Sequence, residues 1–221
     1  MFDLILVRHG QSEWNKKKLF TGWQDVSLSE QGVIEAQDAG KKILELGLEF
    51  DLAYTSMLER AIKTLWIILE ESKQVNLPVK KAWQINERHY GALQGKNKDE
   101  MREKHGADQV HIWRRSFDTP PPACEREAVR KNYEGLNEMP VGESLKDACE
   151  RVIPFWENEI KPNVLSGKKL IIAAHGNSLR ALVKHLEGID DTKIVELEIP
   201  TGKPIKLTLD KDLKFVSRSY L

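Results

Sequence analysis

Two apolar runs in this chain stop at a histidine followed by glycine: Leu4-Ile5-Leu6-Val7-Arg8-His9-Gly10 near the start and Leu170-Ile171-Ile172-Ala173-Ala174-His175-Gly176 near the end. An imidazole is half neutral near its ordinary pKa of roughly 6.5, so it can attack phosphorus without a separate base. Continuous apolar runs read as buried parallel strands, and ligands of open α/β sheets bind beyond the carboxyl ends of such strands. If the two strands are neighbours, both imidazoles face one crevice. Arg8 precedes the first histidine, and Asn177-Ser178 with a helical pattern follows the second. Cationic groups and helix-start N–H groups would then meet there, a setting that suits a phosphoryl group.

Phosphoryl transfer needs a nucleophile, neutralisation of charge on three equatorial oxygens, and a proton for the leaving oxygen. His9 is the candidate nucleophile, and Arg8, Arg60 and His175 can supply the neutralisation. Glu87, within the cluster Asn86-Glu87-Arg88-His89-Tyr90-Gly91, is the candidate general acid, provided burial raises its pKa toward working pH. Arg114 and Arg115 are adjacent, and neighbours on a helix diverge by about 100°, so both can face one ligand only from a helix end. Taken singly, each has an ordinary reading: a His-Gly turn after a strand, a Glu87-Arg88 surface pair, an Arg60 on a solvated helix face near Lys63, one surface arginine pair with an idle neighbour. The string from Gly91 to Lys96 has three residues between its glycines, where a phosphate loop needs four. Gly176-Asn177-Ser178 lacks the second glycine of a nucleophile elbow, and no aspartate cluster marks a magnesium site. No metal is required where arginines neutralise the phosphate.

The elements that must hold these residues alternate strand and helix with short joins, the pattern of a mostly parallel sheet flanked by helices in three α/β/α layers. After the first strand and a long polar loop from His9 to Asp25, the capping-box spacing of Ser27 and Glu30 predicts a helix with Val33, Ala36, Gly40, Ile43 and Leu44 on one face, ending at Gly47. Phe50 to Tyr54 reads as a strand, and Thr55-Ser56 as the cap of a helix carrying Leu58, Ala61, Leu65 and Ile68 inward. Pro78 to Ile85 reads as a third strand. The stretch from Asn97 to Asp118 reads as two helical pieces broken near Gly106, and 119–142, rich in proline, glycine and charge, as a surface excursion. Glu143-Ser144 opens a helix kinked at Pro154. A helix starts at Ser178, and the last thirty residues read as short strands at the sheet edge.

With 221 residues, of which 40% are hydrophobic, the chain suits one domain spanning 1–221. Basic and acidic residues balance at 34 each, which argues against a nucleic-acid or anionic-membrane partner and makes any cationic site local. Cys124 and Cys149 form neither a metal pattern nor a disulfide framework. The first apolar run is interrupted at Arg8-His9, too early for a secretory signal, so a soluble cytoplasmic protein is expected.

Leu6-Val7-Arg8-His9-Gly10-Gln11-Ser12-Glu13-Trp14-Asn15 resembles the signature of the histidine phosphatase superfamily. Phe20 to Trp23, Tyr54 to Ser56 with Arg60-Ala61, Asn86 to Gly91, Leu93 to Gly95 with Asn97-Lys98, Val110 to Ser116, and Ala173 to Leu182 are similar, in order, to motifs of its cofactor-dependent phosphoglycerate mutase branch. The resemblance implies His9 as the phosphorylated nucleophile, Glu87 as proton donor and acceptor, and His175 steadying the transferring phosphoryl. Arg8, Asn15, Arg60 and the backbone of Gly176 and Asn177 would hold that phosphate. Ser12, Thr21, Gly22, Arg88, Tyr90, Lys98, Arg114 and Arg115 would hold the glycerate with its carboxylate and second phosphate. The implied reaction interconverts 3-phosphoglycerate and 2-phosphoglycerate in glycolysis and gluconeogenesis, primed by 2,3-bisphosphoglycerate. The sequence does not fix the oligomeric state, for which a symmetric homodimer is the commonest default in a soluble enzyme. Gln84 stands where the family usually has arginine, and Lys96 where it usually has leucine. The stretch 123–141 is short and weakly matched, and the end at Tyr220-Leu221 lacks the tail that covers the site in many members, which favours leakage to water. A phosphatase of the same superfamily and a silent phospholigand sensor are the alternatives.

Overall fold

The computed structural model describes Met1–Leu221. Its strands are β1 (Phe2–Arg8), β2 (Leu52–Thr55), β3 (Val79–Lys81), β4 (Leu170–Ala174), β5 (Pro204–Leu209) and β6 (Phe215–Tyr220). The helices are α1 (Glu13–Lys16), α2 (Glu30–Glu45), α3 (Glu59–Glu71), α4 (Lys98–His105), α5 (Ala107–Arg115), α6 (Leu145–Phe155), α7 (Lys161–Leu165) and α8 (Gly176–Glu187). The strands form one sheet in the order β3-β2-β4-β1-β5-β6. β3, β2, β4 and β1 run parallel, whereas β5 is antiparallel to both β1 and β6. No helix is long and apolar enough to cross a membrane.

Side-chain alternation along the strands divides the core in two. Leu4, Leu6, Leu52, Tyr54, Leu170 and Ile172 pack with Leu145, Cys149, Val152, Leu179 and Leu182 of α6 and α8. Ile5, Val7, Ala53, Ile171 and Ala173 pack on the other face with Ala39, Ile43, Leu65 and Ile68 of α2 and α3. The expected layers are therefore present, with β5 between β1 and the edge strand β6.

Local boundaries depart from the sequence reading where tertiary contacts compete. Leu28 forms an antiparallel bridge with Ser12, which keeps the chain extended beyond Ser27. The helix consequently starts at Glu30, capped by Ser29 through a 3.1 Å bond from the Gly32 N–H. Val33 and Leu44, expected inward, are exposed. β3 stops at Lys81 because β2 ends at Thr55, and a 3₁₀ turn over Trp83–Ile85 leads to the acidic cluster residue Glu87. α6 opens at Ser144 with a reciprocal Asp147 box and, after Pro154, widens into a π turn over Trp156–Ile160. The 119–142 stretch is more than a surface excursion: Tyr133 and Met139 are buried against Trp23. Both cysteines are free.

The loop leaving β1 rests on the start of α2 through two glycines. A Cβ at Gly32 would lie 2.0 Å from the Gln11 carbonyl oxygen, and one at Gly10 would lie 2.1 Å from that of Gly32. Neither neighbour is a side chain that can swing away. Gly32→Ala is therefore expected to cost about 1–3 kcal/mol through overpacking and to displace the His9 loop. Urea denaturation alongside turnover checks this, with both expected to fall.

Candidate active site

β1 and β4 pair in parallel from Leu4 with Leu170 to Arg8 with Ala174, and the His9 N–H extends the ladder to the Ala174 carbonyl at 2.9 Å. The two histidines that follow these strands consequently sit side by side, with ring centroids 4.9 Å apart. Above them opens a cleft of about 170 Å³ with only three hydrophobic residues among its 18 lining residues. Arg8, Arg60, Lys98, Arg114, Arg115 and Arg180 contribute six cations to it, against the two carboxylates of Glu87 and Glu198. The zero net charge of the chain thus conceals a concentrated local surplus.

His9 Nδ1 lies 2.7 Å from the Gly10 carbonyl oxygen. A carbonyl only accepts, so Nδ1 carries the proton and Nε2 keeps its lone pair. Burial, reinforced by the charges of Arg60 and Arg8, holds the His9 pKa well below the usual histidine value. His175 shifts the same way, through burial first and then Arg60, His9 and Arg8. Its Nε2 is 2.7 Å from Ser56 Oγ, and its Nδ1 has no protein partner. The same hydroxyl accepts the Leu58 N–H, so Ser56 serves the imidazole and the helix α3 begins later, at Glu59, without a side-chain cap.

Arg60 is fully buried and donates to the carbonyls of Gly22 and Gln24 at 2.8 and 2.9 Å. Burial pushes its guanidinium down to about 10, against the pull of Glu87 and Asp25. Glu87 lies across the cleft floor, where Oε1 accepts the N–H groups of Arg88 at 2.9 Å and Asn177 at 3.0 Å. Asn177 belongs to the first turn of α8, so one helix start orients the carboxylate. Beneath that segment Arg151 donates to the carbonyls of Gln84, Asn86 and Glu87 and pairs with Glu143, which accepts the His89 N–H. Gln84 enters this frame through its carbonyl, so the residue type there leaves the contact intact.

Arg114 and Arg115 are the last two residues of α5, the position from which both can reach one cleft. Tyr90, Asn15, Thr21, Gly22, Lys98, Gly176 and Asn177 also line it. Gly22 has φ +57, and a Cβ there would lie 2.1 Å from Gln94 Oε1. Burial lowers the Lys98 and Arg114 pKa values. Ser12 and Arg88 do not line the cleft. Ser12 is buried as the cap of α1, exchanging bonds with Asn15, which it orients. Arg88 donates to the Trp113 carbonyl at 2.6 Å and lies 4.7 Å from the Tyr90 ring centroid. His175, fully buried beside His9, is likewise under the surface of the cleft. Arg180 and Glu198 line the cleft without having been singled out. Arg180 had a signal, because it follows Gly176 by one helical turn on the same face. Glu198 had none, since its contact with Arg115 spans 83 residues.

The histidine phosphatase superfamily (branch 1) model matches residues 4–220. The chain belongs to this superfamily. Its curated relatives include the 2,3-bisphosphoglycerate-dependent phosphoglycerate mutases of Neisseria gonorrhoeae (strain NCCP11945), 55% identical over 99% of this chain and all of the relative, and of Neisseria meningitidis serogroup C (strain 053442), 56% identical over the same shares. Among solved structures, a mycobacterial glucosyl-3-phosphoglycerate phosphatase superposes with a TM-score of 0.76 at 21% identity, covering 100% of this chain and 97% of that one. That likeness extends the superfamily fold to a distant sequence.

The neutral state of the buried histidines links stability to pH. Below pH about 6.5 the unfolded chain takes up protons at His9 and His175 that the folded chain refuses until its lower pKa values are reached. Stability is thus full above that pH and falls as pH drops, by up to about 1.4 kcal/mol per pH unit for each histidine. Urea midpoints at pH 7.5 and 5.5 test this; the His9→Gln, His175→Gln double variant should show a much shallower slope, and an equal slope would contradict the assignment.

Proposed function

We propose that this protein interconverts 3-phosphoglycerate and 2-phosphoglycerate through a phosphohistidine on His9, with 2,3-bisphosphoglycerate as the priming donor. The observation that carries this reading is a neutral, oriented imidazole under a cleft whose cations extend well beyond those needed for one phosphate. Arg8, Arg60 and His175 cluster around His9, while Lys98, Arg114 and Arg115 form a second cationic group in the same cleft. The residues fit a bisphosphorylated carboxylate: Arg8 Nε, Arg60 Nε, His175 Nδ1 and Thr21 Oγ1 are buried polar atoms without protein partners. When bound, 2,3-bisphosphoglycerate supplies the phosphoryl group that charges His9.

His9 Nε2 forms the N–P bond as the P–O bond to the leaving oxygen breaks, and Glu87 delivers the proton that oxygen requires. In the reverse transfer Glu87 takes the proton of the accepting hydroxyl. Arg8, Arg60, Asn15 and the Gly176 N–H hold the charge on the equatorial oxygens, in a site preorganised by the protein, while the Asn177 N–H keeps Glu87 oriented beside them. Thr21, Gly22, Tyr90, Lys98, Arg114 and Arg115 hold the rest of the ligand through its reorientation, with Ser12 and Arg88 acting through Asn15 and Tyr90. With guanidinium groups neutralising the phosphate, the reaction proceeds without a metal. The chain acts as one catalytic domain in the cytoplasm, as a homodimer with the twofold symmetry commonest among soluble oligomers.

An enolase-coupled assay from 3-phosphoglycerate in EDTA, with and without added 2,3-bisphosphoglycerate, tests the reaction: turnover should be bisphosphoglycerate-stimulated and absent in His9→Ala. Release of inorganic phosphate alone would instead establish a phosphatase. The second cationic group separates the two activities. Arg114→Ala should reduce mutase turnover roughly 10²–10³-fold, as loss of a positioned donor does, while hydrolysis of a simple phosphate ester falls far less. Equal losses would remove the assigned role of Arg114.

A further inference from the structure

Of the two carboxylates in the cleft, Glu87 has chemistry to perform and Glu198 has none. A carboxylate in an anion-binding cleft must either pair with a cation or repel the ligand. Glu198 pairs: its Oε1 accepts from the Arg115 guanidinium. The pair lies at the mouth of the cleft, for the Glu198 side chain is 73% exposed and that of Arg115 is 21% exposed. The segment carrying Glu198 is fastened at that residue and at the next one. Arg8 donates to the Ile199 carbonyl at 2.8 Å, and the Tyr220 hydroxyl of β6 donates to the Glu198 carbonyl at 3.3 Å. The backbone at Glu198 is therefore held in place while the side chain is solvated and able to swing. Around it Arg114, Arg115 and Arg180 crowd together, and burial with this mutual repulsion lowers the Arg114 and Arg180 pKa values.

We propose that Glu198 is a resident anion for Arg115: it occupies the guanidinium in the free enzyme and must be displaced when a ligand anion engages that arginine. The proposal rests on the phosphoglycerate reading of the cleft and refines its specificity. An exposed ion pair is weak enough to exchange, so displacement costs little for a ligand that replaces the carboxylate with its own carboxylate or second phosphate. A lone phosphate held by Arg8 and Arg60 gains nothing from displacing it. Glu198 thus acts as a positioning residue that weakens binding of ligands reaching Arg115 while steadying the cations between turnovers.

Calorimetric titration of the unphosphorylated enzyme at low ionic strength, where exposed charges are least screened, tests this with inorganic phosphate, pyrophosphate and 3-phosphoglycerate on wild type, Glu198→Gln and Tyr220→Phe. Glu198→Gln should bind 3-phosphoglycerate and pyrophosphate roughly two- to fivefold more tightly, the range of an exposed ion pair, and inorganic phosphate with unchanged affinity. KM for 3-phosphoglycerate should fall by the same factor with kcat not raised. Tyr220→Phe, which loosens the segment but keeps the carboxylate, should tighten neither ligand. Unchanged or weaker binding of the two larger anions in Glu198→Gln overturns the proposal, as does equal tightening in Tyr220→Phe. If wild type fails to bind 3-phosphoglycerate yet pyrophosphate still tightens, the displaced anion stands and the phosphoglycerate reading falls.

Discussion

The in-register parallel pairing of β1 with β4 is the constraint from which the cleft follows. Five consecutive pairs bring Arg8 level with Ala174, and one further hydrogen bond fixes His9 against the end of β4. A slip of one residue would turn every side chain of a strand to the opposite face. The alternation that sends Leu4 and Leu6 toward α6 and α8, and Ile5 and Val7 toward α2 and α3, would then be lost on both sides at once. Packing of two apolar cores thereby enforces the adjacency of two imidazoles.

That adjacency sets an electrostatic problem, because neutral imidazoles and buried guanidinium groups share one small volume. Burial favours the uncharged form of each, and the arginines reinforce it for the histidines. Arg60 stays charged because two carbonyls and the nearby Glu87 and Asp25 compensate it. Four buried atoms without protein partners, Arg8 Nε, Arg60 Nε, Arg180 Nε and Thr21 Oγ1, belong to residues that line the cleft.

Strand ends carried most of the legible information. The two apolar runs that stop at His-Gly announce both the sheet and the adjacency of two histidines, and the helix-end requirement for Arg114 and Arg115 agrees with their place at the end of α5. Local caps are less legible, because Ser27 and Ser56, both expected to cap helices, have other partners: Lys63 donates to Ser27, and Ser56 meets His175. Ser12 and Arg88, expected at the ligand, have their polar groups engaged by Asn15, Trp113 and Tyr90. Glu198 was invisible for a different reason: nothing in a loop sequence states which distant helix end it will meet.

Sheet order also governs how the molecule comes into being. β1 lies between β4 and β5, so its neighbours are residues 170–174 and 204–209. During synthesis the apolar stretch Leu4 to Val7 leaves the ribosome long before either neighbour exists. Contacts of such sequence separation form slowly and leave strand edges open meanwhile. The pairing that positions the finished cleft therefore leaves the first strand of the nascent chain without its neighbours until residues 170–174 and then 204–209 have been made.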